Sequence, residues 1–416
     1  MADGTRRSAL YVGGGAGVAA LSGVLVLVIS ARTLSTEQNS GFLTYWAALF
    51  AVFAVLSGLQ NEVTRAVRAD LTTTVSSARR TSPLGMGLLV GVGAAVIVLL
   101  LFPMWWNAFA ALPDITLPVL LIACAALLYS GHVASVGTLA GLARWRAFAG
   151  LTAGESIARF VFTAGAALLG WGIAGFEIAA AGGTLTWLAA GAFLPGFRGL
   201  WSVRIALGRG ALIRRMINAM AASGANALLV TGFPLLMSLT TDPVAYAGAA
   251  PLVVAVSMTR APLLMPITAF QSMVIAAFVE HPERARSSLF RLIGMVLLVA
   301  VVGGLLAALI GPWAMSLVFG PDYGNSPLVL GMLVVGASFL ALLVLGGSIA
   351  LALDAHTVNT VGWYTALFVS TAIMLTPLGL ETRTILALVL GPLVGSAIHL
   401  GYVLRALSRT AAEGAS

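Results

Sequence analysis

Two ionisable side chains four residues apart, Glu155 and Arg159, stand inside an otherwise apolar stretch of this 416-residue chain. At that spacing they share one face of a helix. An ionisable group at the centre of a membrane helix costs about 2.5–3.5 kcal/mol on insertion scales, so each needs a partner or a task. A rise of about 1.5 Å per residue puts Arg159 roughly 18 Å from the nearer basic end, close to the midplane of a hydrocarbon core about 30 Å thick. The chemistry open to the pair is capture of a phosphate-type anion by the guanidinium, with Glu155 as gate or proton carrier. The plainer alternative is a structural ion pair between helices. Arg260 lies in a second apolar stretch beside Pro251, Pro262 and Pro266. Its planar fork suits bidentate phosphate binding; otherwise it snorkels to the membrane rim. Arg32, closing the first apolar stretch, can line the mouth of a cavity or anchor at the interface. His132 and His399 are of the one residue type whose ordinary titration falls near neutral pH, so they can carry a proton, or simply pack through hydrogen bonds. Asp354 and His356 can gate the inner end of a span or form a polar turn. Glu62 and Arg65 form an interfacial pair.

Other chemistries find no footing. The four His and the single Cys124 show no metal-ligand spacing, and no cofactor is expected. Gly13-Gly14-Gly15-Ala16-Gly17 has no preceding strand and no Lys-Ser/Thr after it, so it is no phosphate loop. The net charge of +8 suggests nucleic acid as a partner. The arginines are spread over many short loops, however, without interleaved aromatics, so no nucleic-acid partner is expected and membrane lipids are.

The elements that must position these residues are transmembrane helices. The chain is 60% hydrophobic and 9% charged, with a mean hydropathy of +1.02; soluble domains carry about 25% charged residues. Apolar runs fall near 9–30, 42–61, 84–104, 117–140, 148–170, 174–196, 212–238, 244–278, 289–311, 327–352, 359–376 and 384–404. All 22 basic residues are arginine, and 18 of them fall before the first run, after the last, or in every second gap between runs. Arg-rich short loops stay cytoplasmic, so the pattern implies twelve spans, a plasma (inner) membrane location and both termini inside. Arg6 and Arg7 precede a long apolar run with no convincing cleavage site, so that run reads as a permanent helix. The stretch 244–278 is too long for one straight crossing and reads as one kinked helix. Glycines in the first span and prolines in the eighth are the expected places of bending.

The basic loop Phe197–Arg215 divides the chain into two six-helix lobes, 1–204 and 205–416. Leu34-Ser35-Thr36-Glu37 and Leu239-Thr240-Thr241-Asp242 echo each other at an offset of 205. That is the mark of two lobes of equal topology, parallel repeats about an axis along the membrane normal. The fold expected is therefore an all-α polytopic membrane protein, with lobes that rock to expose a central cavity alternately to each side.

The stretch from Ala31 to Phe42, ARTLSTEQNSGF, resembles the linker after the first helix of polysaccharide-biosynthesis flippases. The stretch Leu317-Val318-Phe319-Gly320-Pro321-Asp322-Tyr323-Gly324-Asn325-Ser326 resembles the segment between their ninth and tenth helices. The chain is thereby identified as similar to the Wzx-type lipid-linked oligosaccharide flippases of the MOP superfamily, which also holds the multidrug MATE exporters. Gln38-Asn39-Ser40 departs from the family, which usually has a bulky aromatic before the glycine. The resemblance implies a V-shaped pair of lobes that moves a polyprenyl-pyrophosphate-linked glycan from the inner to the outer leaflet, with no bond made or broken. On that view Arg260, Arg159 and Arg32 meet the substrate, and Glu155, His132 and Asp354 couple or gate. A proton or sodium ion would drive transport, and glycan-assembly enzymes would be neighbours.

Two other functions are weighed. A MATE-like small-molecule cation exporter needs an acidic cavity, whereas the deep charges read here, Glu155, Arg159 and Arg260, sum to one positive. A membrane glycan polymerase or glycosyltransferase needs a large outer loop or a carboxylate motif; the outer loops are short, with isolated acids. No enzymatic activity is expected.

Overall fold

The computed structural model describes residues 2–72, 80–110, 112, 114–261, 263–264 and 282–413. Among these there is no strand, only a single antiparallel bridge between Thr81 and Ile205. The helices correspond to the spans expected, and are numbered accordingly. They are α1 (Ala2–Thr33), α2 (Thr36–Thr72), α3 (Pro83–Leu100), α4 (Thr116–Gly141), α5 (Trp145–Leu168) and α6 (Gly172–Phe193). The seventh span, α7, is a bent pair, Arg209–Thr231 and Phe233–Leu239. Then come α8 (Ala250–Ala261), α9 (Pro282–Phe319), α10 (Pro327–Ala352), α11 (His356–Met374) and α12 (Leu380–Glu413). Eight of these are long and apolar enough to cross a membrane unaided, and the bent pair makes a ninth. The 24-residue α5 falls short because Arg146, Glu155 and Arg159 dilute its hydropathy. The 19-residue α11 occupies the eleventh place. The later part of the eighth span lies outside the described residues, with Pro266 and the question of a kink. The protein is a multi-pass membrane protein.

The described chain packs as two compact units, Met1–Ala247 and Gly248–Ser416. In the first, α1 lies on α5, α2 and α3 on α4, α5 on α6, and α7 on α2. Its core holds Phe42, Tyr45, Phe109, Ile122 and Phe176, all fully buried. Span seven thus packs in the first unit, whereas a division at 204/205 places it with the second half. The reason lies at Gly58, where a β-carbon would run into the backbone of Ala219, so α2 and α7 touch main chain to main chain. Within α7, Ser238 donates to Ala108 O at 2.5 Å; beyond it, Tyr246 donates back to Pro234 O at 3.2 Å and Ser40 donates to Ala247 O at 2.8 Å.

Bending falls elsewhere than the glycine pattern suggests. Among described residues α1 runs as one helix through Gly13–Gly17. The break is in α7, a bend of 76° at Gly232 after a π-turn over Ala227–Thr231. Pro234 has no N–H to give and its ring excludes a regular preceding turn.

In the second unit α11 and α10 pack on α12, and α9 packs on α10. The exposed face of α9 carries Leu298, Val301, Leu305 and Leu309, an apolar surface suited to lipid. His399 of α12 is fully buried and its two ring nitrogens lie 3.2 Å from Leu343 O of α10 and 3.2 Å from Asn359 O of α11. Gly362 leaves the space that the imidazole fills. His399→Ala is expected to destabilise the protein by about 1–3 kcal/mol through lost bonds and a new cavity, read as a lower midpoint of detergent-solubilised thermal unfolding.

The halves repeat a turn. After α4, Ala143 adopts φ 55° and Arg144 donates to Leu139 O at 2.8 Å. After α10, Asp354 adopts φ 56° and Ala355 donates to Ala350 O at 2.9 Å. These are the same left-handed helix termini at corresponding places. The echo seen in sequence also has a structural side. Ser35 and Gln38 form a reciprocal capping box ahead of α2, and Asp242 accepts from Val244 N at 3.0 Å after α7.

The arginine pattern gives a direct test of sidedness. Single cysteines at Asp242 and Arg286, in a Cys124→Ala background, are expected to react with an impermeant thiol reagent from opposite sides of the membrane. Labelling of both from one side would remove a crossing between them.

Candidate functional site

The first unit contains an enclosed polar site between α1, α2, α4 and α5. Helical spacing puts Glu155 and Arg159 on one face of α5, and both are buried. They form an ion pair through Glu155 Oε1 and Arg159 Nη2. Arg159 Nε also donates to Ala180 O of α6 at 3.0 Å. The approach of α6 depends on Gly183, whose β-carbon, if it had one, would sit 2.9 Å from Glu155 O and 3.1 Å from Arg159 Cβ. Ser156 donates to Glu155 Oε2 at 3.3 Å.

Aromatic residues of α2 cover the guanidinium. Its Cζ lies 4.5 Å from the ring centre of Phe50, 5.6 Å from Phe53 and 5.8 Å from Trp46. The spacing 46, 50, 53 places all three on one helix face. Each cation–π contact contributes about 0.5–2 kcal/mol, more where water is absent. Tyr129 of α4 stacks on Phe53 at 3.8 Å between centres and on His132 at 5.3 Å. His132 Nδ1 is buried with no hydrogen-bond partner. Together these side chains, with Ser22 of α1 and Gln60 of α2, line a cavity of about 220 Å³.

Of the residues proposed from sequence, the structure brings together Glu155, Arg159 and His132. Arg260 is buried on α8 in the second unit. Arg32 is exposed at the end of α1. Asp354 is exposed on the left-handed turn between α10 and α11. Glu62 is buried and accepts from Arg65 Nη2 at 2.7 Å. The trio Trp46, Phe50 and Phe53 passes in sequence for ordinary apolar helix.

The count of deep charges changes. Glu177 of α6 is buried and its Oε1 has no hydrogen-bond partner. Tyr45 donates to its carbonyl oxygen at 2.9 Å. Arg383 is buried at the start of α12, where Nη1 donates to Met374 O at 3.0 Å at the end of α11. Among the described residues, buried Glu62, Glu155 and Glu177 equal buried Arg159, Arg260 and Arg383 in number. The single positive surplus inferred from sequence does not hold. Glu177 was visible there as a carboxylate five residues past Gly172 in an apolar span; Arg383 sits at a span edge, where loop and buried cap look alike.

An ion pair with an aromatic lid, beside an imidazole whose Nδ1 lacks a hydrogen-bond partner, can exchange a proton or yield its guanidinium to a competing anion. Among the described residues no cluster of metal-ligating side chains is found.

This helical architecture resembles that of several solved membrane transporters. An inward-facing multidrug resistance MATE family transporter of that superfamily matches with a TM-score of 0.68 at 13% identity, covering 94% of this chain and 95% of the other. An outward-facing one matches at 0.65 and 14%, covering 98% and 96%. A MOP superfamily transporter from Pyrococcus furiosus, described by the reverse polarity of its binding pocket, matches at 0.65 and 14%, covering 97% and 95%. At these identities the likeness is one of fold, a fold of twelve helices in two lobes. No protein-family model matches the chain. In sequence it is 35% identical over 400 residues to the uncharacterized protein Rv1510 of Mycobacterium tuberculosis, covering 96% of this chain and 92% of that one. It is 36% identical over 398 residues to the uncharacterized protein Rv3630 of the same organism, covering 94% and 91%. The chain belongs to the family of these mycobacterial proteins.

Proposed function

We propose that this membrane transporter flips a polyprenyl-pyrophosphate-linked oligosaccharide from the inner to the outer leaflet of the plasma membrane by alternating access, for cell-envelope polysaccharide assembly. The observation that carries this reading is Arg159, a guanidinium deep in the membrane on the wall of a polar cavity, held by a carboxylate for which an anion can be exchanged. A space of about 220 Å³ suits a pyrophosphate group and not a glycan. The cavity therefore anchors the charged linkage while the polyprenyl tail stays in lipid. Arg260 and Arg32 are further cationic contacts on the path. Glu155 and His132 carry the coupling proton, joined by Glu177. Asp354, at a span end, is the candidate gate. Glycan-assembly enzymes are the natural neighbours at the membrane, and a sodium ion is the alternative driver.

A second reading, a MATE-like small-molecule exporter, draws on a different observation. Trp46, Phe50, Phe53 and Tyr129 form an aromatic wall, and Glu177 is an unpartnered acid in the same unit. Both suit an organic cation.

The two readings differ in the sign of linked protonation. An anion that takes Arg159 from Glu155 leaves a buried carboxylate unpaired, which then takes up a proton. A cation that pairs with a carboxylate expels one. Purified protein in weakly buffered detergent is expected to take up protons when a polyprenyl pyrophosphate is added, read by pH electrode or dye. In proteoliposomes, the lipid-linked oligosaccharide is expected to become accessible to an impermeant lectin. Proton release with an organic cation, and no flipping, would favour the exporter.

A further inference from the structure

We propose that a groove at one end of the first unit is a binding site for an anionic phospholipid. It lies between α5 and α6, with Tyr11 of α1 also in its lining, and has a volume of about 930 Å³. That is within the range of roughly 300–1,000 Å³ typical of small-molecule sites. Arg144 and Arg146 stand at its mouth with Trp145 between them. Arg146 is exposed, and Arg144 is exposed with one long hydrogen bond, Nη1 to Gly196 O at 3.4 Å. Both forks keep donors for a phosphate. From this mouth the groove runs along α5 past Gly150 to Gly154, with Ala189 and Ala190 of α6 opposite.

The dimensions and the charge select the occupant. Ten residues from Arg144 to Gly154 span about 15 Å of helix, half of a hydrocarbon core about 30 Å thick. An acyl chain reaching that far leaves its phosphate at the two arginines. The mouth lies at the end that the arginine pattern assigns to the cytoplasm, where anionic headgroups meet basic residues. The two glycines make the track. A β-carbon on Gly150 would meet nothing within 4 Å, and one on Gly154 would meet only Thr186 Cγ2 at 3.5 Å. No helix crossing uses that space. The site is separate from the Arg159 cavity and does not depend on which substrate is carried. A neutral lipid would satisfy the groove but not the arginines.

Native mass spectrometry of the full chain, released from detergent containing equal phosphatidylglycerol and phosphatidylcholine with matched chains, tests this. Wild type is expected to retain phosphatidylglycerol with about thirtyfold preference, the order that two arginines near an anionic headgroup supply. Arg144→Gln/Arg146→Gln should abolish the preference. Gly150→Leu/Gly154→Leu should lower retention of both lipids with every charge intact. Arg214→Gln/Arg215→Gln, an equal change of charge elsewhere, should retain the preference. Equal retention of the two lipids by wild type would show ordinary annular lipid and overturn the site. So would loss of preference in the Arg214/Arg215 variant, or unchanged retention in the correctly folded glycine variant.

Discussion

Arg159→Leu is expected to destabilise the first unit by about 3–5 kcal/mol and to abolish transport, while Arg159→Leu/Glu155→Leu recovers most of the stability and none of the transport. The single substitution leaves Glu155 buried without its partner, and breaking a buried pair from one side has that order of cost. The double substitution removes both charges and leaves branched apolar side chains under Trp46, Phe50 and Phe53, where replacement of a buried pair is often neutral or better. Stability is read from thermal unfolding in detergent, transport from proteoliposomes. A purely structural pair would give a double variant that transports as wild type does. That result would take Arg159 out of the substrate path and leave the aromatic lid as packing.

Glu177→Gln is expected to leave the protein folded and to disconnect transport from the proton gradient. Glu177 Oε1 lacks a hydrogen-bond partner although the residue is buried. An unpaired carboxylate in such a place costs several kcal/mol when ionised, so an amide of the same shape is no burden. What the amide lacks is an exchangeable proton in the working pH range. Downhill exchange of substrate should continue, and accumulation or flipping driven by an imposed pH gradient should fall by at least about tenfold, the scale on which a required proton carrier acts. Undiminished gradient-driven transport would assign coupling to Glu155 and His132 alone. The same substitution at Glu62, which is already satisfied by Arg65, serves as the control.

Much of the architecture could be read before any coordinates. The alternation of arginines and apolar runs marked the helical segments seen among the described residues, because a bilayer admits few solutions for a chain of this composition. The pair at 155 and 159 was legible because helical spacing and burial cost point the same way. What was not legible depended on tertiary contact. The aromatic trio of α2 looks like any apolar face until Arg159 is seen beneath it. Gly232-Phe233-Pro234 carried the break in α7, but one proline near a span end resembles many harmless ones, and the glycine run in α1 was the louder signal. Glu177 is different: a carboxylate within an apolar segment is legible in the sequence, and counting it removes the apparent positive charge of the interior.

The repeated left-handed turn has a practical consequence for anyone who must purify this protein. At Asp354 a short polar side chain tolerates φ 56°, but at Ala143 a methyl group is held at φ 55°, a conformation that costs a residue with a β-carbon about 1–2 kcal/mol. Glycine adopts it freely, at the expense of some extra freedom in the unfolded chain. Ala143→Gly is therefore expected to stabilise the protein, and a gain in melting temperature there would provide a sturdier background in which the Arg159, Glu155 and Glu177 variants can be compared. Because Ala143 lines the lipid groove beside Arg144, the groove variants keep the native alanine.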